Sequence, residues 1–532
     1  MSTLPPPLYP LPGSSPITRR SFVLGSASFA AAALLSTRAR GAVSRAAGFP
    51  AYPFSLGVAS GDPAADGFVI WTRLAPTPLV PGGGMGREPV EVRWEVAADE
   101  GMRRVVQSGR AVANAEWAHS VHVEVEGLAP DRWYWYRFHV SGEISPVGRA
   151  RTFPAAGTRP DRLRFAFASC QKYETGYYTA LEHLAREDVD LILHLGDYIY
   201  EKGPDASAVR QHNSPEIMTL EDYRARYALY KSDPALQAAH AIAPWLVTWD
   251  DHEVSNNYAN DIHEKPETNA RADFLLRRAA GYQAYFEHMP LRRSAQPKGP
   301  DMSLYRRLAF GDLAAFNVLD TRQYRTDQPQ GDGSKPFAPE LLNPAGSMLG
   351  ATQRNWLLDG LSSSRTDWNV LAQQVMMAPA GRSTNGGPLL YSMDKWPGYE
   401  FERRLLLREL RDRRVGNPVV LTGDIHTNWA NELLVDFERP GESKAVAAEF
   451  VGTSITSGGD GAAEPAGTAE MMSANPWVKY FNSQRGYVRC EVTPAQWRTE
   501  YRVLPYVTRP GAPVSTARTY VLESGHPQLN RA

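Results

Sequence analysis

The stretch "LILHLGDYIYE", Leu191 to Glu201, runs an apolar segment straight into Gly196, Asp197 and, three residues on, Tyr200. Five residues of this character have the length of one strand in a sheet covered on both faces. A strand followed by a turn would explain the break. A strand whose end holds a metal would also explain why a carboxylate and a phenol stand so close together. His194 lies inside the apolar run and is read as structural.

The same grammar recurs elsewhere. "LRFAFASC" stops at Ser169-Cys170, and "APWLVTWDDHE" stops at Asp250, Asp251, His252 and Glu253, with Asn256 and Asn257 close behind. "NPVVLTGDIHTN" stops at Asp424 and His426. "LAAFNVLD" and "DWNVLAQQVM" are further runs of strand length. Between them "LEDYRARYALYKSDPALQAAH", "NARADFLLRRAAGYQAYFEHM" and "YEFERRLLLRELRDRR" carry apolar residues at helical spacing. Strands alternating with helices imply a layered α/β domain with buried sheets. In such folds ligands bind beyond the carboxyl ends of strands. Four strand ends thus deliver Cys170, Asp197, Tyr200, Asp251, His252, Asn257, Asp424 and His426 to one expected crater. Carboxylate and amide oxygens suit a hard cation such as calcium. Thiolate, phenolate and imidazole together suit a more polarising metal such as iron. A carboxylate can bridge two metals, the role assigned to Asp197. Cys170 and Tyr200 ligate only as anions, and a highly charged cation lowers their pKa. Cys490, in "RGYVRCEV", is read as a small buried hydrophobe.

The bulk properties are those of a soluble globular protein. Of 532 residues, 43% are hydrophobic and 22% charged, and the formal net charge of -1 suggests neither nucleic acid nor an anionic membrane as partner. Two cysteines exclude a disulfide framework, though not a single bridge. Residues 1–42 read as an export signal: Arg19-Arg20, an apolar stretch from Phe22 to Leu35, then small residues. "TRRSFV" resembles a twin-arginine signal, which implies export machinery for folded proteins and a periplasmic or extracellular destination. No stretch is expected to span a membrane. From 50 to 155 period-2 alternation, as in "VEVRWEV" and "VHVEVEGL", predicts a fibronectin-like β-sandwich. "FPAAGTRPDR" is read as the joint to a catalytic domain at 160–508. Residues 509–532 are expected as a separate C-terminal segment.

Six dispersed blocks, "FASCQ", "HLGDYIYE", "TWDDHEVSNNY", "LDTRQYR", "QQVMMAP" and "LTGDIHTNW", together resemble the signature of the PhoD-like alkaline phosphatase family. "LGVASGDP…GFVIWTRL" resembles that family's N-terminal domain. The resemblance implies a metallophosphoesterase-type pair of β-sheets flanked by helices. It implies iron(III) held by Cys170, Asp197, Tyr200 and His426, with calcium beside it, two ions being expected. Asp197 would bridge and Asp424 would bind calcium, together with either Asp251 or Asn257. The resemblance also suggests that the C-terminal segment folds back over the site as a lid, the alternative being a plain surface tail.

The expected activity is release of phosphate from phosphomonoesters, and from diesters, by metal-activated water. His252 is the candidate for protonating the leaving alkoxide. Arg322 and Arg325 could clamp a phosphate, or could be surface ion pairs. A small phosphoester is the expected partner, with no nucleotide or nucleic acid required, and the protein is expected as a monomer. A phosphodiesterase acting on phospholipid head groups, or a non-catalytic phosphate-binding protein, are the alternatives.

Overall fold

The computed structural model describes residues 48–383 and 386–532; the signal expected at 1–42 lies outside the described residues. Two large sheets face each other. One has ten strands, in the order His526–Arg531, Ser515–Glu523, Gln496–Leu504, Arg485–Val492, Leu163–Ala168, Leu191–Leu195, Trp245–Thr248, Val58–Ala64, Gly67–Arg73 and Ser120–Val125. The other has seven, in the order Arg306–Phe310, Ala314–Val318, Trp368–Ala372, Pro418–Thr422, Ala445–Val451, Asn428–Leu434 and Val478–Asn482.

Side-chain alternation decides which layer each residue joins. Leu191, Leu193 and Leu195 point with Phe165, Phe167 and Leu246 into the space between the sheets, where they meet Phe316, Val370, Val419 and Leu421. Ile192, Ala166, Ala168, Trp245 and Val247 point the other way, onto the helices Leu220–Lys231, Pro234–Ala241 and Arg271–His288. On the far side Leu371 and Val420 meet the helices Gly350–Ser363 and Glu400–Asp412. The result is four layers, helix–sheet–sheet–helix, with every central strand buried on both faces. The mixed α/β class and paired sheets match the sequence expectation.

The helical candidate at 220–240 divides in two. Thr219 caps the first helix through a reciprocal box with Asp222. Pro234 cannot continue it, so the chain restarts with Asp233 accepting from the Ala235 N–H at 2.9 Å.

The boundary expected near 155 is not a break in the fold. A five-stranded sheet built on Val90–Ala97, Val105–Ala113 and Trp133–Val140 packs over Val58, Phe68, Ile70, Val121 and Val123. Those residues belong to the last three strands of the ten-stranded sheet. Gly61 pairs in parallel with Trp245, so the N-terminal region and the core share one hydrogen-bonded sheet. The segment expected as a lid takes a different place. Residues 515–531 form the opposite edge hairpin of the same sheet, with Tyr520 and Leu522 in the inter-sheet core.

Candidate active site

The strands Leu163–Ala168, Leu191–Leu195 and Trp245–Thr248 run parallel, so their carboxyl ends emerge together. Pro418–Thr422 ends beside them from the other sheet. Gln374, at the end of Trp368–Ala372, ties the two sheets: its Nε2 donates to Thr248 Oγ1 at 2.8 Å. The approach is closest at Gly423, where a Cβ would lie 2.8 Å from Ser169 Oγ. Each chain then turns sharply. Cys170, Asp197, Asp424 and His426 all have positive φ, between 56° and 61°. This left-handed conformation costs an L-residue other than glycine about 1 kcal/mol or more. Four of the expected ligands therefore occupy backbone positions better suited to glycine. Asp197 follows Gly196, whose own φ is 103° and whose missing Cβ would sit 2.5 Å from the Cβ of Asp250.

The first half of the crater gathers around Asp197. Tyr200 Oη donates to Asp197 Oδ2 at 2.7 Å and lies 3.2 Å from His426 Nε2. Ser457 Oγ lies 2.7 Å from both Tyr200 Oη and the Cys170 carbonyl. A thiol, a carboxylate oxygen and a ring nitrogen of Cys170, Asp197 and His426 lie within 4.8 Å of one another. Arg485 holds the His426 carbonyl through Nη1 at 2.6 Å. Burial drives the Cys170 and Tyr200 pKa values well above their ordinary range, and Asp197 adds to both. Burial also raises Asp197, reinforced by Asp251, Asp250 and Glu253 and opposed by His252. His426 is pushed down to about 3 by desolvation and by Arg485, so its imidazole is neutral and able to ligate.

The second half gathers around Asp251 and Asp424. Carboxylate oxygens of Asp250, Asp251 and Asp424 lie within 4.8 Å of one another, and Asp251 is equally close to Asp197 and His252. Here protein cations are present. Arg322 Nε donates to Asp250 Oδ1 at 2.5 Å and Nη1 to Asp394 Oδ1 at 2.9 Å, with Nη2 3.5 Å from Asp251. Arg325 Nη1 donates to Asp394 at 2.7 Å. The two arginines are 0% and 1% exposed, so the phosphate clamp expected of them is corrected: their guanidinium groups are committed to internal carboxylates. Neither are they surface pairs. Lys395, whose Nζ contacts Asp424, is a cation that sequence reading missed, as was Asp394 beside it. Asp251 is held well below the usual carboxylate range: Arg322 and His252, with the Asn257 N–H at 2.7 Å, outweigh the opposing effect of burial. The Asn257 side chain meanwhile donates to Asp332 at 2.8 Å.

His252 stands between the halves. Its Nδ1 lies 2.6 Å from Glu201 Oε2, and its ring centre lies 4.2 Å from that of Tyr200, the planes tilted by 31°. Despite desolvation, Glu201, Asp251 and Asp197 hold its pKa well above the ordinary value, as a cation. Glu253 is structural: its carboxylate accepts the N–H groups of Asp250 at 2.8 Å, Asp197 at 3.2 Å and Tyr198 at 2.5 Å. It thereby fixes two ligand loops to each other. Cys490 and His194 are buried in the core, as expected, and both cysteines are free thiols.

The donor set fits a metal. Asp197 Oδ1 is buried with no hydrogen-bond partner, a costly state for a carboxylate unless a cation meets it. Sulfur, phenol, imidazole and several carboxylates gather around the same carboxylate, whose other oxygen, Oδ2, accepts from Tyr200.

The sequence pattern of the PhoD-like phosphatase family matches residues 165–501, and that of the PhoD-like phosphatase N-terminal domain matches residues 40–154. Alkaline phosphatase D of Bacillus subtilis (strain 168) is 52% identical over 522 residues, covering 96% of this chain and 89% of that protein. A solved structure described as the structure of PhoD superposes with a TM-score of 0.89 at 54% identity, covering 92% of this chain and 93% of that one.

Proposed function

The chain belongs to the PhoD-like phosphatase family, and from that premise we propose how its own residues carry phosphoester hydrolysis. It is a metal-dependent phosphoesterase of the alkaline phosphatase D kind, acting in our reading on monoesters and diesters. Cys170, Asp197, Tyr200 and His426 would hold iron(III). Asp424 and Asp251 would hold calcium with Asp197 bridging, and the Asn257 N–H would orient Asp251. Asn257 as the direct ligand is the competing assignment, and its side-chain bond to Asp332 weighs against it. When bound, these cations supply Lewis acidity toward a phosphoryl oxygen and toward water.

The protein's part is placement and proton handling. Glu201 anchors His252 through Nδ1, which leaves Nε2 as the atom that gives its proton to the departing alkoxide. Lys395, beside Asp424, adds positive charge for a phosphoryl oxygen. Asp394 and Asp250 fix Arg322, and Arg322 in turn keeps Asp251 anionic. The twin-arginine pattern at Thr18–Val23 supports export of the folded protein to the periplasm or medium, and no helix among the described residues is long and apolar enough to cross a membrane.

The observation that carries this reading is the Asp197 carboxylate: Cys170, Tyr200 and His426 gather around it, and its Oδ1 is buried without a hydrogen-bond partner. Protein purified without chelators, assayed for metal by elemental analysis and for phosphate release, is the test. Turnover by metal-free protein would overturn the assignment. A visible charge-transfer band lost in Tyr200→Phe would support the iron–phenolate pair.

A further inference from the structure

A cleft of about 540 Å³ opens beside the site. Lys395 lines it together with Ile425 and Thr427, which alternate in sequence with Asp424 and His426. Met376, Ala378, Leu390 and Tyr391 give it an apolar wall, and Ser334, Ser392 and Arg382 line it as well. A volume of this size suits a small organic group.

The wall is built rather than incidental. Ser334–Pro336 and Leu390–Ser392 form a two-stranded sheet of their own, in which Lys335 pairs with Tyr391. A bridge between Arg382 and Leu390, with N–H to carbonyl distances of 3.1 and 2.9 Å, ties that sheet to the chain leaving the core. A Cβ at Gly381 would lie 2.8 Å from the Tyr391 ring, so the glycine lets the ring seat against the backbone. Three residues beyond Ser392, the same segment delivers Lys395 to Asp424. One segment therefore both furnishes the cleft and reaches the reacting centre.

The crater has two sides. His252 comes from the end of Trp245–Thr248 in the ten-stranded sheet, whereas the cleft borders the end of Pro418–Thr422 in the seven-stranded sheet. An ester group that departs toward His252 leaves the other substituent of a diester on the cleft side. Resting on the phosphoesterase reading above, we propose that this cleft is the subsite for the retained ester group of a phosphodiester. It selects apolar and above all aromatic groups, with Tyr391 as their platform.

The test uses full-length, metal-loaded enzyme and a series of 4-nitrophenyl phosphodiesters whose second substituent is methyl, butyl or phenyl. Because the departing group is constant, kcat/KM reports the retained one. Wild type is expected to favour phenyl over methyl by about tenfold, the scale of a few methylenes in an apolar pocket. Tyr391→Ala should shrink that ratio to within about twofold, and Tyr391→Phe should restore it. A flat series in active wild type, or an undiminished ratio in Tyr391→Ala, would overturn the subsite while leaving the phosphoesterase reading intact. Absence of hydrolysis across the whole series, and of 4-nitrophenyl phosphate, would overturn both. A measurement without variants runs beside it: phenylphosphonate should inhibit wild type more tightly than methylphosphonate, and equal inhibition constants would count against the proposal.

Discussion

Two aspartates in one crater, both buried, respond to burial in opposite ways. Asp251 is held anionic by Arg322 and His252, while Asp197 is pushed toward its protonated form by desolvation and by its carboxylate neighbours. The difference lies in the company each half of the site keeps. The Asp251 half carries its own counter-charges, Arg322 and Lys395. The Asp197 half offers thiol, phenol, imidazole and an unpartnered oxygen, and its guanidinium, Arg485, is held by carbonyl and hydroxyl oxygens rather than by a carboxylate. Burial sets the cost of a charge, and partners decide whether it is met. The half whose carboxylate has no guanidinium or ammonium partner is the one that depends most on a foreign cation.

The sharpest way to break that contrast is Asp197→Asn. Phosphate release should fall roughly a thousandfold or more, since the donor shared by both halves is lost. The metal-free variant should melt no lower than metal-free wild type, because a buried unpaired carboxylate is removed. Activity within tenfold of wild type would end the assignment of Asp197.

Arg322→Met attacks the other half through stability. Leaving Asp250 and Asp394 buried without their cation should cost about 3–5 kcal/mol in chemical denaturation. A change under 1 kcal/mol would mean that the pairs contribute little.

His252→Gln should lower kcat by about a hundredfold. The loss should be greater for an alkyl leaving group than for 4-nitrophenol, which departs without a proton. Equal losses on both would move His252 out of the proton-donating role.

Lys231 is the mirror image of Asp197: a buried ammonium packed 4.2 Å over the Trp71 ring, its pKa lowered to about 7 by desolvation. Between that value and the unfolded lysine value near 10.4 the unfolded chain binds more protons, so stability rises with pH across this window. Lys231→Met should therefore stabilise the protein by about 2 kcal/mol at pH 6, a gain that fades as the pH approaches 10. A pH-independent difference would show that lost packing, not charge, is being measured.

Much of this was legible beforehand. "LILHLGDYIYE" and its companions declare buried strands because every residue must be apolar when both faces are covered, and strand ends must turn. Sequence order then suffices to place Cys170, Asp197, Asp251, His252, Asp424 and His426 on one rim. What escaped has a common physical cause. Asp394 and Lys395 sit in "YSMDKWPG", between a short strand and a Pro–Gly turn, with no periodicity to announce them. Their place depends on a two-stranded sheet whose partners are Lys335 and Tyr391. Arg322 looks like any arginine near an active site, and its carboxylate partners Asp250 and Asp394 come from distant segments. Local pattern reports what a residue is, and long-range pairing reports whether it is free.

The Gly61–Trp245 pairing has a practical corollary. The two sequence patterns that match this chain divide it near residue 155, and a gene fragment starting at that point would look like a reasonable minimal enzyme. It would instead expose the edge of Trp245–Thr248, a bare apolar ribbon ready to recruit any passing strand. Any shortened version meant for production or redesign has to keep residues 58–125, because they close the sheet that the catalytic loops spring from.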